Sequence, residues 1–202
     1  LKGMSIFGTD GVRGRVNEYP MTPEIAMKIA AIIGNKAALK ENGSLKKVVV
    51  GKDTRRSCYM LEAAITAGLI SAGVDVILTG PIPTPAVSML TKSLRADFGI
   101  MISASHNLFE DNGIKIFDDN GVKISDEMQY EIEKLLAMPY EKFYTEANKL
   151  GKVKRLDDVI GRYVEFVKSS ISRDISFKNV KIALDVANGA AYKIAPEIFT
   201  EL

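Results

Sequence analysis

The chain has 202 residues, 47% of them apolar and 26% charged, with 27 basic side chains against 25 acidic ones and a formal net charge of +2. That is the make-up of an ordinary soluble globular protein with material for one good core and part of another, and a charge so near zero argues against a nucleic-acid footprint or a polybasic membrane patch. A single cysteine (Cys58) excludes an internal disulfide, and with a single histidine (His106) it argues against a His/Cys metal site, while no apolar run approaches the roughly 20 residues of a membrane span.

Leu1, Lys2, Gly3 and Met4 carry no signal-peptide core, so Met4 is expected to be the natural start and the cytoplasm the default compartment. Residues 5–14 hold Gly8, Asp10, Gly11 and Gly14, which break both helix and strand, so a loop is expected there. It matches neither the dinucleotide nor the Walker pattern, because no strand precedes it and no Gly-Lys-Ser/Thr follows. Arg13 is its one strong cation. Thr22, Pro23 and Glu24 read as an N-cap, a first-turn proline and a first-turn acid. Ile25, Ile29, Ile32 and Ile33 continue that helix, and Glu41, Asn42, Gly43 and Ser44 are expected to end it.

Residues 47–51 form an apolar strand, followed by a polar loop, Lys52, Asp53, Thr54, Arg55, Arg56 and Ser57. A helix over 59–72 stops at Gly73. A strand over 74–78 leads into a rigid proline loop at 80–85, a helix over 85–92 and a strand over 98–102. This β-α-β-α-β order with short links predicts an α/β fold with a mixed, mostly parallel sheet sandwiched by helices. Loops after parallel strands leave from one edge, where ligands bind in open α/β sheets. The loops at 52–57, 80–85 and 103–107 are therefore expected to converge, so that Arg55, Ser105 and Lys115 share one cleft.

The third of these loops reads Ser103, Ala104, Ser105, His106 and Asn107, and leads to the turn at Asp111, Asn112 and Gly113 and a short strand, Ile114 to Phe117 in order. Taken singly, each loop has a plain structural reading, and only their convergence favours a site. A hydrolase triad is disfavoured, because His106 follows Ser105 directly and no second histidine exists. What remains is a serine that is phosphorylated or contacts phosphate, with Lys115 as cation or proton carrier.

Downstream, residues 113–117 and 122–124 read as a β-hairpin about Asn120 and Gly121. Ser125, Asp126 and Glu127 cap a helix carrying Met128, Ile132, Leu135 and Leu136. Residues 140–152 read as a linker, 157–171 as an amphipathic helix (Val159, Ile160, Tyr163, Val164, Val167), 180–186 as a buried strand, and Asn188, Gly189 and Ala190 as the turn into a last helix. One strand cannot make a sheet, so the unit after the linker is either a domain cut short, which is the favoured reading, or a set of elements docked on the first unit.

The motifs Phe7-Gly8-Thr9-Asp10-Gly11-Val12-Arg13-Gly14, Ile102-Ser103-Ala104-Ser105-His106-Asn107 and Asp111-Asn112-Gly113-Ile114-Lys115 together resemble the α-D-phosphohexomutases. Gly51-Lys52-Asp53-Thr54-Arg55, Pro83-Thr84-Pro85 and Asp185-Val186-Ala187-Asn188-Gly189-Ala190 are similar in the same order, and the glucosamine branch is favoured over the mannose/glucose branch. The resemblance implies that residues 1–150 are a first domain carrying the phosphoserine loop and 151–202 the beginning of a second. It implies Ser105 as the phosphoserine, with Arg13, Lys115 and His106 as catalytic partners and Asn107, Arg55 and Thr9 as phosphate or substrate contacts. Mg2+ would bind a Ser105 phosphate oxygen. The implied reaction converts glucosamine 6-phosphate to glucosamine 1-phosphate through a 1,6-bisphosphate and feeds UDP-N-acetylglucosamine and cell-wall synthesis. The partner is a phosphosugar, with a homodimer compatible and no nucleic acid or membrane expected.

Leu108 departs from the proline usual in the family, and Arg56 and Cys58 stand where an aliphatic residue and a glycine are expected. The Asp-Gly-Asp-x-Asp-Arg metal loop, the Glu-x-Ser-Gly-His sugar loop and a carboxy-terminal phosphate loop do not occur, so these residues alone are expected to lack useful mutase activity. A non-catalytic phosphosugar-binding module is the alternative from another class.

Overall fold

The computed structural model describes residues 5–40 and 46–202. The expected start at Met4 and the helix stop at residues 41–44 lie outside the described residues. Seven strands form one mixed sheet: β1 (Phe7–Gly8), β2 (Gly11–Arg15), β3 (Lys47–Lys52), β4 (Asp75–Pro81), β5 (Phe98–Ile102), β6 (Asp111–Phe117) and β7 (Val153–Arg155), in the order β1-β2-β6-β5-β3-β4-β7. The block β5, β3, β4 and β7 is parallel, while β1, β2, β6 and β5 pair antiparallel.

Alternation along the central strands makes the sandwich. Val48, Val50, Ile100 and Ile102 enter one core with α1 (Pro23–Ala38), α2 (Ser57–Ser71) and α4 (Asp126–Leu136). Val49 and Met101 enter the other, with α3 (Thr84–Ser93), α5 (Val159–Lys168) and Ile194 at the start of α6 (Ile194–Glu201). Side chains of a strand point alternately to the two faces, so strands that are apolar throughout must be covered on both. The helix starts form as their sequences require. Thr22 Oγ1 accepts from the Ile25 amide (3.4 Å) and Ser125 Oγ from the Met128 amide (3.3 Å), each satisfying an otherwise orphaned first-turn donor.

Four expectations are corrected. Residues 5–14 are not a loop throughout, since β1 and β2 form an antiparallel ribbon there and β2 continues the pairing onto β6. Gly11 permits this: it sits at φ +88°, and a Cβ would lie 2.3 Å from the Ile114 carbonyl oxygen. The hairpin at 113–124 reduces to one bridge, Phe117 with Lys123, because Asp118 Oδ1 takes the amides of Asn120 (2.9 Å) and Val122 (3.0 Å) and closes the turn locally. The linker at 140–152 is packed: Phe143 is buried, and the amides of Thr145 and Gly151 donate to the carbonyls of Ser71 and Ile70 (2.8 and 3.2 Å). Finally, residues 180–186 form no strand. No neighbouring strand among the described residues offers them a ladder, and Val180, Ile182 and Leu184 are exposed.

β7 escaped the sequence reading because it is three exposed residues with no alternation. It pairs with β4, and Val159, Tyr163 and Val164 of α5 pack with Ile82, Val87 and Leu90, so the elements just past residue 150 lie against the sheet. Among the described residues no helix is long and apolar enough to cross a membrane.

Candidate functional site

Ser105 stands on the loop between β5 and β6, at the carboxyl end of a parallel strand. Its amide donates to Oγ of the buried Ser103 (3.0 Å), and the Asn107 amide donates to the Ala104 carbonyl (3.1 Å). Ser105 adopts φ +59°, a left-handed conformation that costs a non-glycine residue about 1–2 kcal/mol. The result is an exposed hydroxyl at the top of a tight turn. His106 is also exposed, with Nδ1 3.4 Å from Ser105 Oγ, the long limit of a hydrogen bond. No carboxylate orients its ring among the described residues, so the pair lacks the geometry of a triad.

On the β3 side the loop meets Arg55. Its Nη1 donates to the carbonyls of Leu108 (2.6 Å) and Asp111 (3.2 Å), its Nη2 to those of Ser105 (3.0 Å) and Asn107 (2.9 Å). Its Nε donates to Asp53 Oδ2 (2.9 Å), and its amide to Asp53 Oδ1 (3.0 Å). The Cys58 thiol also donates to Asp53 Oδ1 (3.1 Å), and Asn112 Nδ2 reaches Ser57 Oγ (2.8 Å) and Cys58 Sγ (3.3 Å). Burial pushes the Cys58 thiol up to about 12, with the Asp53 charge adding to it and the Asn112 hydrogen bond opposing it. A thiol held so far from ionisation is a structural donor and not a nucleophile.

On the β6 side lie the other cations. Arg13 pairs across β2 and β6 with Gly113, so Lys115, two residues further along β6, falls on the same face. Gly113 makes room for them: a Cβ there would lie 2.7 Å from the Ser103 carbonyl oxygen and 3.1 Å from Arg13 Cγ. Arg13 Nη1 reaches Asn107 Oδ1 (3.4 Å) and Nη2 is paired with Asp10, whose carboxylate also binds Lys115 Nζ (2.8 Å). Desolvation alone would raise the Asp10 carboxyl, but the Lys115 hydrogen bond and the charges of Lys115 and Arg13 outweigh it and hold it below the usual carboxylate value. Asp10 thus sits between two cations as a built-in anion.

Residues 53–56, 105–109 and 187–189 line a groove of about 630 Å³, closed on one side by a hydrogen bond from Thr54 Oγ1 to the Asn188 carbonyl. The structure brings Ser105, His106, Asn107 and Arg55 to this groove. Arg13 is joined to it through Asn107. Lys115 lines a separate cavity of about 90 Å³ with Asp10, Thr84 and Lys123, so the 80–85 loop opens beside Lys115 and not beside Ser105. Thr9 is exposed and contributes its carbonyl to Lys123 Nζ (2.7 Å). Sequence reasoning missed Asp53 and Asp10. The first has a local signal, a carboxylate two residues before the amide it caps. The second has a local signal too, Arg13 three residues on, but its other partner, Lys115, is 105 positions away.

A Mg2+ ion requires near-octahedral oxygen ligation. Among the described residues no group of three His, Cys, Asp or Glu side chains is placed to hold a metal. A phosphorylated Ser105 would add one oxygen, so the residues present do not by themselves make a Mg2+ site.

Residues 4–142 match the family profile described as phosphoglucomutase/phosphomannomutase, alpha/beta/alpha domain I. The chain is 54% identical over 196 residues to a phosphoglucosamine mutase of Allorhizobium ampelinum and 52% identical over 196 residues to one of Brucella ovis, covering 97% of this chain and 43% of each relative. Among solved structures, a phosphoglucomutase/phosphomannomutase family protein of Burkholderia thailandensis superposes with a TM-score of 0.79 at 26% identity, over 97% of this chain and 42% of that one. The chain thus spans less than half the length of the curated relatives it matches.

Proposed function

The chain belongs to the phosphoglucomutase/phosphomannomutase family, and from that premise we propose that it carries the phosphoserine part of a phosphoglucosamine mutase, an isomerase that interconverts glucosamine 6-phosphate and glucosamine 1-phosphate. The observation that carries this reading is the exposed Ser105 hydroxyl, held in a left-handed turn at the rim of a groove. The names of relatives more than half identical to this chain supply the sugar.

In this reading the Ser105 phosphate is attacked by a sugar hydroxyl: the new O–P bond forms as the Oγ–P bond breaks, and the bisphosphate then returns its other phosphoryl group to Ser105. A serine phosphate carries nearly two negative charges and three acceptor oxygens. Phosphoryl transfer is mostly positioning and charge stabilisation. Arg13, joined to the loop through Asn107, supplies charge, Lys115 is a proton carrier behind Asp10, and His106 can donate to the phosphate from its place beside Ser105. Mg2+ would supply further neutralisation of that phosphate, and this chain offers it one oxygen, on Ser105. Residues 1–150 are read as the first domain and 151–202 as the start of a second whose first elements latch onto it.

The test is transfer of labelled phosphoryl from glucosamine 1,6-bisphosphate to the full-length protein, mapped by peptide mass spectrometry. Label on Ser105, absent from Ser105→Ala, is expected. Label elsewhere, or none in a folded wild-type protein, would sink the reading.

A further inference from the structure

Arg55 holds the position where a phosphate-binding cation is expected, yet its bonding is already complete. A guanidinium has five N–H donors and no acceptor. In Arg55 one goes to the Asp53 carboxylate, and the other four go to the backbone carbonyls of Ser105, Asn107, Leu108 and Asp111. The side chain is 10% exposed, as is that of Asp53, which pairs with it and neutralises its charge. Asp53 is itself fixed: its amide donates to the Ile102 carbonyl (3.0 Å), and its Oδ1 receives the Arg55 amide and the Cys58 thiol. An incoming phosphate would find no free N–H and little net charge here.

We propose that Arg55 is a positioning residue, which sets the backbone of the 105–111 loop and thereby the direction of the Ser105 hydroxyl, and that it does not bind the phosphosugar. Four carbonyl oxygens converge on one guanidinium. Without it their like-signed dipole ends face one another, and the left-handed turn at Ser105 is left to two bonds, its amide to Ser103 Oγ and the Asn107 amide to the Ala104 carbonyl. The planar fork is essential to this role: an ammonium has three donors on a flexible stem and cannot meet carbonyls of four residues and a carboxylate together. An oxygen displaced by about 1 Å can cost on the order of a hundredfold in a positioned reaction.

The proposal rests on the phosphoserine reading for its kinetic arm and on structure alone for its second arm. In the full-length protein, Arg55→Lys and Arg55→Ala are each compared with wild type for phosphoryl uptake at Ser105 and for turnover. The expected result is a fall in kcat of roughly 10- to 100-fold with KM for the sugar phosphate within about twofold, in both variants alike, and partial recovery of Arg55→Ala by added methylguanidinium but not by ammonium. A raised KM with kcat intact, or near-normal turnover in Arg55→Lys, would overturn the proposal. The second arm is hydrogen exchange: amides of residues 105–111 are expected to exchange faster in Arg55→Lys, with those of β3 and β5 unchanged. Unchanged exchange in the loop overturns the proposal even if the wild type never takes phosphate on Ser105. Should Arg55→Ala fail to fold, Asp53→Asn tests the same geometry, because it removes the charge that orients the fork while keeping its shape, and it is expected to give the same kcat loss at unchanged KM.

Discussion

Arg55 and Arg13 reach the Ser105 loop from opposite sides of β5, one from the β3 edge and one from β2 beyond β6. Arg55 is 10% exposed and bonded at every N–H, four times to loop carbonyls. Arg13 is 27% exposed, its buried Nε has no partner among the described residues, and its remaining bonds go to side chains, Asp10 and Asn107. The first arrangement is a frame: buried, saturated and sensitive to shape. The second is a reserve of charge: wetter, unsaturated and held by a half-exposed carboxylate. In the proposed reading the site must hold one hydroxyl still while its phosphate comes and goes, which calls for both, and the two lie on separate sides of one strand.

The comparison breaks most easily at high pH, where the frame has a weak point. The Cys58 thiol titrates at about 12 in the folded protein against 9.0 ordinarily. Between these values the unfolded chain releases the proton and the folded one keeps it, so stability is full below about 9 and falls as pH rises. The slope approaches about 1.4 kcal/mol per pH unit for one proton. Urea denaturation at rising pH is expected to show that fall in the wild type and less of it in Cys58→Ala. Equal slopes would place the thiol in a wetter setting than the frame requires.

The charge reserve is expected to respond in affinity and hardly in stability. Asp10 is half exposed and holds both Arg13 and Lys115. Its folded pKa is depressed, so its contribution exists above the unfolded value and fades as pH falls through the folded one. Asp10→Asn is expected to bind inorganic phosphate about two- to fivefold more tightly, the scale of an exposed ion pair, and to leave the melting temperature near wild type. Isothermal titration in low salt reads the first, and calorimetry the second. Weaker phosphate binding would mean that Asp10 orients the cations and does not compete for them.

These two halves were not equally legible in the sequence. The strands at 47–51 and 98–102 and the caps at Thr22 and Ser125 are local signals, and each appears where its pattern places it. Ser105 and its loop are equally local. The glycines of residues 5–14 misled, because a glycine that breaks a lone strand also lets a ribbon lie close on β6, and only the partner decides which. Residues 180–186 misled in the opposite sense: an apolar run reads as a strand, but a strand needs a neighbour. Arg55 is legible as a cation near the loop, but its five acceptors are not, since four are backbone carbonyls 50 to 56 positions away.

The smallest effect concerns Leu108, where the family resemblance leads one to expect proline. What the frame takes from this residue is its carbonyl, which accepts from Arg55 Nη1 (2.6 Å) and from the Asp111 amide (3.1 Å). Among the described residues its own N–H has no acceptor, and its side chain is 73% exposed. Proline keeps the carbonyl, gives up an unused donor and restricts the unfolded chain. Leu108→Pro is therefore expected to be neutral or to stabilise by up to about 1 kcal/mol, with phosphoryl uptake at Ser105 unchanged. A loss of stability in chemical denaturation would show that the loop depends on the backbone angles or N–H of Leu108, and that four carbonyls on one guanidinium are not enough to fix it.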